Sequence, residues 1–457
     1  VHAVVVLLNR DLRVHDHPAL AEAARTAEHV VPLFVVDDAV AGAGYVVPNR
    51  AAFLVDCLND LRTALRDRGG DLVVRRGDAV DQALRLAAEV DAQAVFASAD
   101  VSAFARRREA RLVAAGAAAR REITLFPGVT VVPPDEVLTG GGAPYRVFTP
   151  YWRAWCRAPR RPVEPAPSAV RLPGGVDTGS IPAAGDLADG ERSPGLPLGG
   201  ESIARALMNT WSRTHLAAYD DRHDDLPGDV TSRVSPHLHF GTFSPLELVD
   251  RLEGRDGGAP FARQLCWRDF HHQTAFHVDD IAKDDLHPGR RRWVDDDEAF
   301  DAWSQGRTGL PIIDAGMRQL RSEGWMHNRA RLLTASFLTK HLDVDWRRGA
   351  DHFFRWLVDG DIANNAANWQ WVAGTGSDTR PNRIFNPIRQ AHRFDPNGDY
   401  VRRHVPELAG VDGGAVHEPW KLAGRLDAPV LDYPAPIVDH ERAADEFRTS
   451  NGRSDVT

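Results

Sequence analysis

The chain is poor in cysteine, nearly devoid of lysine and without any long apolar run. Its 457 residues include only Cys57, Cys156 and Cys266. These are too few and too scattered for a disulfide framework or a sulfur-ligated metal, and they favour a reducing, cytoplasmic setting. No uninterrupted apolar stretch nears the roughly 20 residues of a membrane span. Residues 1–8 lack a basic leader or cleavage site, so neither a membrane nor secretion is expected. No Gly-x-Gly-x-x-Gly follows the first apolar segment and no Walker-type loop occurs, which disfavours a nicotinamide- or ATP-binding enzyme. His15 with His17, His237 with His239 and His271 with His272 lack the further ligands and spacing of a metal site. Lysine appears only at Lys283, Lys340 and Lys421, so arginine carries nearly all the positive charge. The net charge of −9 neither requires nor excludes nucleic acid, because phosphate contact depends on local grouping. Arg290-Arg291-Arg292, Arg329 with Arg331, and Arg380 with Arg383 are candidate groups, with solvated surface as the alternative for each.

The length exceeds what one hydrophobic core usually supports, so two domains are expected. A hydrophobic fraction of 43% and a charged fraction of 26% are ordinary for a globular protein. The first 126 residues alternate between apolar strands (4–8, 30–36, 72–74, 94–96, 123–126) and helical stretches (18–26, 50–67, 80–88, 103–118). Such repeated units imply a parallel sheet with helices on both faces. From 131 to 200, Pro133-Pro134, Gly140-Gly141-Gly142, Pro159 to Pro167, Gly174-Gly175 and Gly199-Gly200 break every periodicity. One aromatic patch, Tyr151-Trp152-Arg153-Ala154-Trp155, interrupts them and suits a short packed helix. From 201 onward the pattern is helical, and Ser235-Pro236 and Ser244-Pro245 each place a serine cap before proline. The expected fold is therefore a doubly wound α/β parallel-sheet domain at 1–130, a long linker at 131–200 and an all-α domain at 201–457.

Residues 359–371 read Asp-Gly-Asp-Ile-Ala-Asn-Asn-Ala-Ala-Asn-Trp-Gln-Trp. Asp359 and Asp361 stand two apart, and Asn365 and Trp369 lie one helical turn apart on a common face. Carboxylates, an amide and an indole converging there suit a planar, nitrogen-rich heterocycle. The alternative is a helix capped by Asp361 with tryptophans in the core. Upstream, Thr231-Ser232-Arg233-Val234-Ser235-Pro236 sets three hydroxyls and a guanidinium before a helix start. That is a ready anion site, or a plain capping motif.

The 359–371 segment resembles the flavin-binding heart of the photolyase/cryptochrome family. The likeness extends through Gly-Trp-Met-His-Asn-Arg-Ala-Arg at 324–331, Thr-Gly-Leu-Pro-Ile-Ile-Asp-Ala-Gly-Met-Arg-Gln-Leu at 308–320, Trp-Arg-Asp-Phe at 267–270, Arg-Ile-Phe-Asn-Pro at 383–387 and Asn-Arg-Asp-Leu-Arg-Val-His-Asp at 9–16. Several long motifs in order are far more specific than one short pattern. The pattern is nearest to class I cyclobutane pyrimidine dimer photolyases.

The resemblance implies FAD in the helical domain. Thr231, Ser232, Arg233, Val234 and Ser235 match its pyrophosphate cradle, and Tyr219 a flavin-contacting tyrosine. Arg331, Asp359 and Asp361 match residues around the isoalloxazine, ribityl and adenine parts, and Asn365 the residue facing flavin N5. Trp369, Trp346 and Trp293 match an electron relay. Trp267 and Trp371 match aromatics flanking a flipped dimer. Gln264, Arg268, Asn328, Arg329, Arg383 and Gln390 match positions contacting the lesion or its phosphates. The implied partner is UV-damaged DNA, bound by a monomer. A second antenna chromophore (folate, deazaflavin or flavin) is implied without residues to assign.

Two departures matter. Gln264 stands where cyclobutane-dimer enzymes usually carry glutamate, and Leu332 where the family signature has methionine. A cryptochrome-type photosensor is the alternative they motivate, although the chain ends soon after the family core. A (6-4) photolyase would place histidines where Asn328 and Leu332 stand. A flavoprotein dehydrogenase would leave the tryptophan series unexplained.

Overall fold

The computed structural model describes residues 2–288, 293–422 and 431–450; the Arg290-Arg291-Arg292 run lies outside the described residues. By compactness the chain divides into two units. The first comprises Val1–Arg192, Pro197–Ala218 and Ser232–Asp280, and the second Ser193–Leu196, Tyr219–Thr231 and Ile281–Thr457. No described helix is long and apolar enough to cross a membrane.

The first unit is built on a five-stranded, wholly parallel sheet. Its strands are β1 (Ala3–Leu8), β2 (His29–Asp37), β3 (Val73–Gly77), β4 (Ala94–Ser98) and β5 (Glu122–Phe126), in the order β3-β2-β1-β4-β5. β1 is buried at every position, as a central parallel strand covered on both faces must be. The helices Pro18–Thr26, Pro48–Arg66, Ala79–Glu89 and Ala103–Ala118 alternate with the strands. Two of them start where a short polar side chain caps the backbone: Asp78 accepts from Val80 and Asp81, and Ser102 from Ala105. The expected strands and helices are all present, with ends displaced by three residues at most. A short helix at Asp38–Gly42 carries no signal in the hydrophobic pattern.

β1 lies between β2 and β4, so the loop leaving it sits at the topological switch point of the sheet. That loop carries the 9–16 motif, and it grips the short helix Ser235–Phe240. The Arg10 Nε donates to the His239 carbonyl at 3.1 Å, the Leu12 amide to that of Phe240 at 3.2 Å, and a buried Arg13 guanidinium to that of Gly241 at 2.9 Å. Gly241, at φ +67°, approaches so closely that a Cβ would lie 1.9 Å from the Arg10 carbonyl oxygen. Only glycine fits there.

The proline- and glycine-rich stretch after residue 130 is irregular, as its composition indicates, yet it is bound to the sheet and its helices. The Val30 amide donates to Arg171, the Val74 amide to Thr178, and the Val170 amide to Arg68. The aromatic patch forms the helix Phe148–Trp155, with Tyr151 and Trp155 buried. Its Trp155 Nε1 donates at 2.9 Å to Asp269, whose same oxygen accepts from the Val131 and Val132 amides. One serine expectation needs correction. Ser244 caps its helix by accepting from the Glu247 amide at 3.2 Å, but Ser235 is already the first residue of its helix and Val234 is the cap.

The second unit is helical. Its principal helices are Asp297–Ser304, Pro311–Glu323, Asn328–Lys340, Trp346–Trp356, Ile362–Ala373 and Pro387–Phe394, and Trp303, Phe337, Trp346, Phe353 and Trp369 are buried among them. Asp314, also buried, accepts from the Thr308 amide and hydroxyl, the Gly309 amide and the Tyr433 hydroxyl.

Asp269 yields a pH prediction. Burial pushes its carboxyl up to about 6 from an ordinary 3.8, so the folded protein holds this proton more tightly than the unfolded chain. The associated stabilisation is present below about pH 4 and lost as pH rises through about 6. A displacement of that size is worth on the order of 3 kcal/mol. Chemical denaturation of Asp269→Asn and the unsubstituted protein from pH 4 to 7 should show the latter losing ground as pH rises; a constant difference would refute the assignment.

Candidate active site

In the second unit, Asp361 caps the helix Ile362–Ala373, its Oδ1 accepting from the Asn364 amide at 2.8 Å and the Asn364 side chain at 2.7 Å. Asn365 and Trp369 share the helix face turned to Trp346–Trp356. The Asn365 Nδ2 donates to the Ala350 carbonyl at 3.0 Å, so the remaining side-chain atom, Oδ1, is offered as an acceptor for an N–H donor. Trp369 lies against Gly349, where a Cβ would come within 2.2 Å of the indole. Trp346 is one turn before Gly349 on the same helix, wholly buried, with its Nε1 donating to Asp285 at 2.9 Å. Trp293 is half-buried, and the next residue's amide donates to the Asp343 carbonyl at 2.8 Å, placing that backbone beside the loop leading into Trp346.

Arg331 and Asp359 form a pair at 2.8 Å, with Asp359 buried and the Arg331 Nε anchored on the Met326 carbonyl. Tyr219 is buried, which raises its phenol above the ordinary range and keeps it a neutral hydrogen-bonding group. The Thr231 hydroxyl oxygen is buried with no partner among the described residues. Trp371 is half-buried and Arg383 exposed, and the Arg383 guanidinium sits 4.8 Å from the Trp371 ring centre. Asn328 is exposed and Gln390 half-buried. Arg329 is committed elsewhere: it pairs with Asp224, Nε to Oδ1 at 3.1 Å, and lies 4.3 Å from the Phe394 ring centre.

In the first unit, Arg233 adopts φ +48° and Val234 a right-handed turn conformation at φ −78°, ψ −9°. A left-handed residue followed by a right-handed one turns successive N–H groups toward one concavity, which suits an anion. The helix after it has six residues, so the turn, more than a helix dipole, is the feature suited to an anion. Ser232 is buried beside it and its hydroxyl accepts from the Val234 amide at 3.4 Å. On the helix Gly258–His277, Gln264, Trp267 and Arg268 occupy one face. Gln264 is exposed. Trp267 stacks on Phe148 at 3.6 Å and 5°, so one face of its indole is covered and any stacked ligand must use the other. Arg268 spends its guanidinium on the Val129 and Leu238 carbonyls at 2.7 and 3.3 Å. The exposed guanidinium near Trp267 belongs instead to Arg263, 5.5 Å from the Phe148 ring centre.

Comparison with known proteins gives the family. Residues 4–169 match the family model for DNA photolyase, and residues 261–451 that for the FAD binding domain of DNA photolyase. A deoxyribodipyrimidine photo-lyase of Streptomyces griseus is 53% identical over 98% of this chain and 99% of its own. The chain belongs to the photolyase/cryptochrome family. Two solved members superpose closely. A bacterial class III photolyase from Agrobacterium tumefaciens has a TM-score of 0.91 at 32% identity, covering 98% of this chain and 97% of its own. An archaeal photolyase from Sulfolobus tokodaii, solved with two FAD molecules, has 0.86 at 29%, covering 98% and 99%.

FAD is the cofactor this membership brings, and within the second unit the residues fit it: an amide oriented to accept and a buried hydroxyl without a partner among the described residues. Four residues went unnoticed in the sequence. Asp224 and Asp285 belong to no recognisable motif, Trp303 lies outside the tryptophan spacing, and Lys340 looks like an ordinary helix-end cation. Among the described residues, His2, Glu28 and His29 are grouped closely enough to share a cation, but His2 and Glu28 are exposed and already paired at 3.3 Å.

The Gly349 contact is directly testable. Gly349→Ala should cost about 1–3 kcal/mol by overpacking, read as a lowered denaturation midpoint with an altered Trp369 fluorescence. Unchanged stability would mean the two helices are not in this contact.

Proposed function

We propose that the protein is a light-driven deoxyribodipyrimidine photo-lyase that reverses cyclobutane pyrimidine dimers in DNA. The observation that carries this reading is the 53% identity, over essentially the whole chain, to a protein of that name. When bound and reduced, FAD supplies an electron that light drives into the dimer and recovers it after the ring opens, so there is no net redox change.

The chain's own residues have distinct tasks in this reading. The Asn365 amide, held by Ala350, presents its oxygen to the N–H at flavin N5 and so favours the reduced cofactor. The Ser232–Ser235 turn and Thr231 hold the pyrophosphate, and Arg331, Asp359 and Asp361 fix the ring and ribityl parts. Photolyases, like glycosylases and methyltransferases, act on a base taken out of the stack. Stacking on an indole offsets about 1–3 kcal/mol of the cost per base, a task for Trp371 and the open face of Trp267. Gln264 hydrogen-bonds the lesion but cannot donate a proton as a carboxylic acid would. Arg383 and Gln390 meet the lesion or its phosphates, with Asn328 exposed for the same purpose. Trp369, Trp346 and Trp293 relay electrons that return oxidised FAD to its reduced form. The archaeal relative solved with two FAD molecules supports a possible second, antenna chromophore here. The active form is a monomer, working in the cytoplasm.

A photosensor without repair activity is the second reading, favoured by one observation: an amide, Gln264, stands exposed on the helix face where a carboxyl is usual. The decisive experiment is repair of an oligonucleotide bearing one cis-syn thymine dimer, in darkness and under blue light, with a (6-4) lesion alongside. Light-dependent restoration of the cyclobutane dimer is expected. No repair with bound, photoreducible FAD would favour the photosensor, and repair of the (6-4) lesion alone would refute the role given to Asn328.

Lys340 supplies a second test. It is buried, and its ammonium donates to the Pro381 and Arg383 carbonyls at 2.9 and 2.6 Å, fixing the backbone that presents Arg383 to Trp371. Lys340→Met should weaken binding to dimer-containing DNA about tenfold, the order expected for two lost hydrogen bonds, with FAD content unchanged. Unaltered affinity would remove this loop from DNA recognition.

A further inference from the structure

Among the described residues of the second unit, one buried indole, Trp303, stands beside Trp369 and another, Trp346, lies on the helix that Trp369 packs against; they differ in what holds their N–H. Trp303, wholly buried, stands edge-to-face with Trp369 at 6.1 Å between ring centres. Its Nε1 donates to the backbone carbonyl of Thr334 at 3.0 Å. Its ring neighbours are Phe300, Phe353 and His352, and burial lowers His352 to about 4, so it is uncharged at neutral pH. Trp346, on the helix whose Gly349 receives the Trp369 ring, donates its Nε1 to the carboxylate of Asp285.

A buried indole needs an acceptor, and satisfying the N–H would be reason enough for some partner. Trp303 shows that a backbone carbonyl serves that need, so the charge at Trp346 requires another explanation. Arg347 lies 4.7 Å from the Trp346 ring centre, where it opposes positive charge on the indole. It is paired with both Asp285 at 2.8 Å and Asp345 at 3.1 Å, so the group carries two carboxylates to one guanidinium. Asp285 is also held in place from both sides. The Gln370 amide, adjacent to Trp369 in the chain, donates to the Ile281 and Asp284 carbonyls at 2.7 and 3.0 Å and accepts from the Leu286 amide at 2.8 Å.

We propose that Asp285 sets the direction of the tryptophan relay, making Trp346 and not Trp303 the residue that refills Trp369. The proposal rests on the relay reading of Trp369, Trp346 and Trp293. Trp369 gives one electron to photoexcited FAD, the oxidant. Trp346 gives one electron to Trp369, which returns to a closed-shell indole, and Trp346 becomes the radical cation. Trp293 then refills Trp346, and a soluble thiol or similar reductant refills Trp293. No carbon bond forms or breaks. The Nε1 proton stays within the hydrogen bond to Asp285, and that bond strengthens while the indole is positive because it then joins opposite charges. Low surrounding polarity enlarges the difference from Trp303. Asp285 is thus a positioning residue for charge, acting through Trp346 without touching flavin or DNA.

Asp285→Asn keeps the shape and an acceptor but removes the charge. The test uses the FAD-bound, oxidised protein and reads tryptophan-radical absorption after a laser flash, together with the rate of photoreduction. In Asp285→Asn the yield of long-lived radical should fall about tenfold, the difference between a charge-assisted and a neutral hydrogen bond, with Asp285→Glu restoring part of it. Trp303→Phe should leave the wild-type yield intact. FAD content should be unchanged in each variant and the melting temperature unchanged in Asp285→Asn, which separates charge from structure; Trp303→Phe, which shrinks a wholly buried side chain, lowers the melting temperature without lowering the radical yield. A wild-type yield in Asp285→Asn, while Trp346→Phe is slow, overturns the proposal alone. A wild-type yield in Trp346→Phe overturns the relay reading beneath it, and a loss in Trp303→Phe shows that the electron takes the other branch.

Discussion

The close meeting of the helices Trp346–Trp356 and Ile362–Ala373 is the constraint on which the second unit's chemistry depends. Gly349 removes the side chain that would collide with Trp369, and the next residue, Ala350, lends its carbonyl to Asn365. One turn of one helix therefore registers two residues of the other, the first a candidate hydrogen-bond partner of the flavin and the second the first indole of the proposed relay. Trp346 is tied to the same register because it precedes Gly349 by a single turn. A sliding of one helix along the other would disturb all three together. This explains how so polar a segment as 359–371 can sit within a packed interior.

Several of the described arginines turn their charge inward. Arg13 closes the switch-point loop on the Gly241 carbonyl, Arg268 binds two carbonyls, Arg329 pairs with Asp224 and Arg331 with Asp359. The planar guanidinium with its several donors suits such multiple anchoring, and the arginine-rich composition partly reflects it. Lys340, one of three lysines, is used where a compact ammonium must join two neighbouring carbonyls. Arg380 and Arg383 of the second unit are exposed, as is Arg263 of the first, alongside a net charge of −9.

The alternation of apolar strands and helices made the α/β architecture legible, since periodicity is a local property. The order of the strands was not, because which strands pair depends on crossovers that no local pattern encodes. The 131–200 stretch reads as irregular in the sequence, but its attachment to the sheet was invisible there, because backbone amides such as those of Val30 and Val74 pair with any neighbouring carbonyl. Motif spacing brought out Asn365, Trp369 and Asp361 because they lie within one helix. Asp285 and Trp346 are 61 residues apart, and Asp224 and Arg329 are 105 apart, distances over which a single sequence carries no signal of contact. The Ser235 cap failed for a subtler reason. Pro236 stands second, not first, in its helix, and Arg233 reverses the chain ahead of it through a left-handed conformation.

Gln370 stands between two tryptophans with different proposed roles and itself turns toward a third direction. Its amide closes three hydrogen bonds with residues 281–286, more than 80 positions earlier. Shortened or lengthened, that earlier loop would need a new partner, and a replacement at Gln370 would need a new loop. The two stretches therefore form a single structural unit. Among relatives they should vary jointly, with a change in one tolerated only after a matching change in the other.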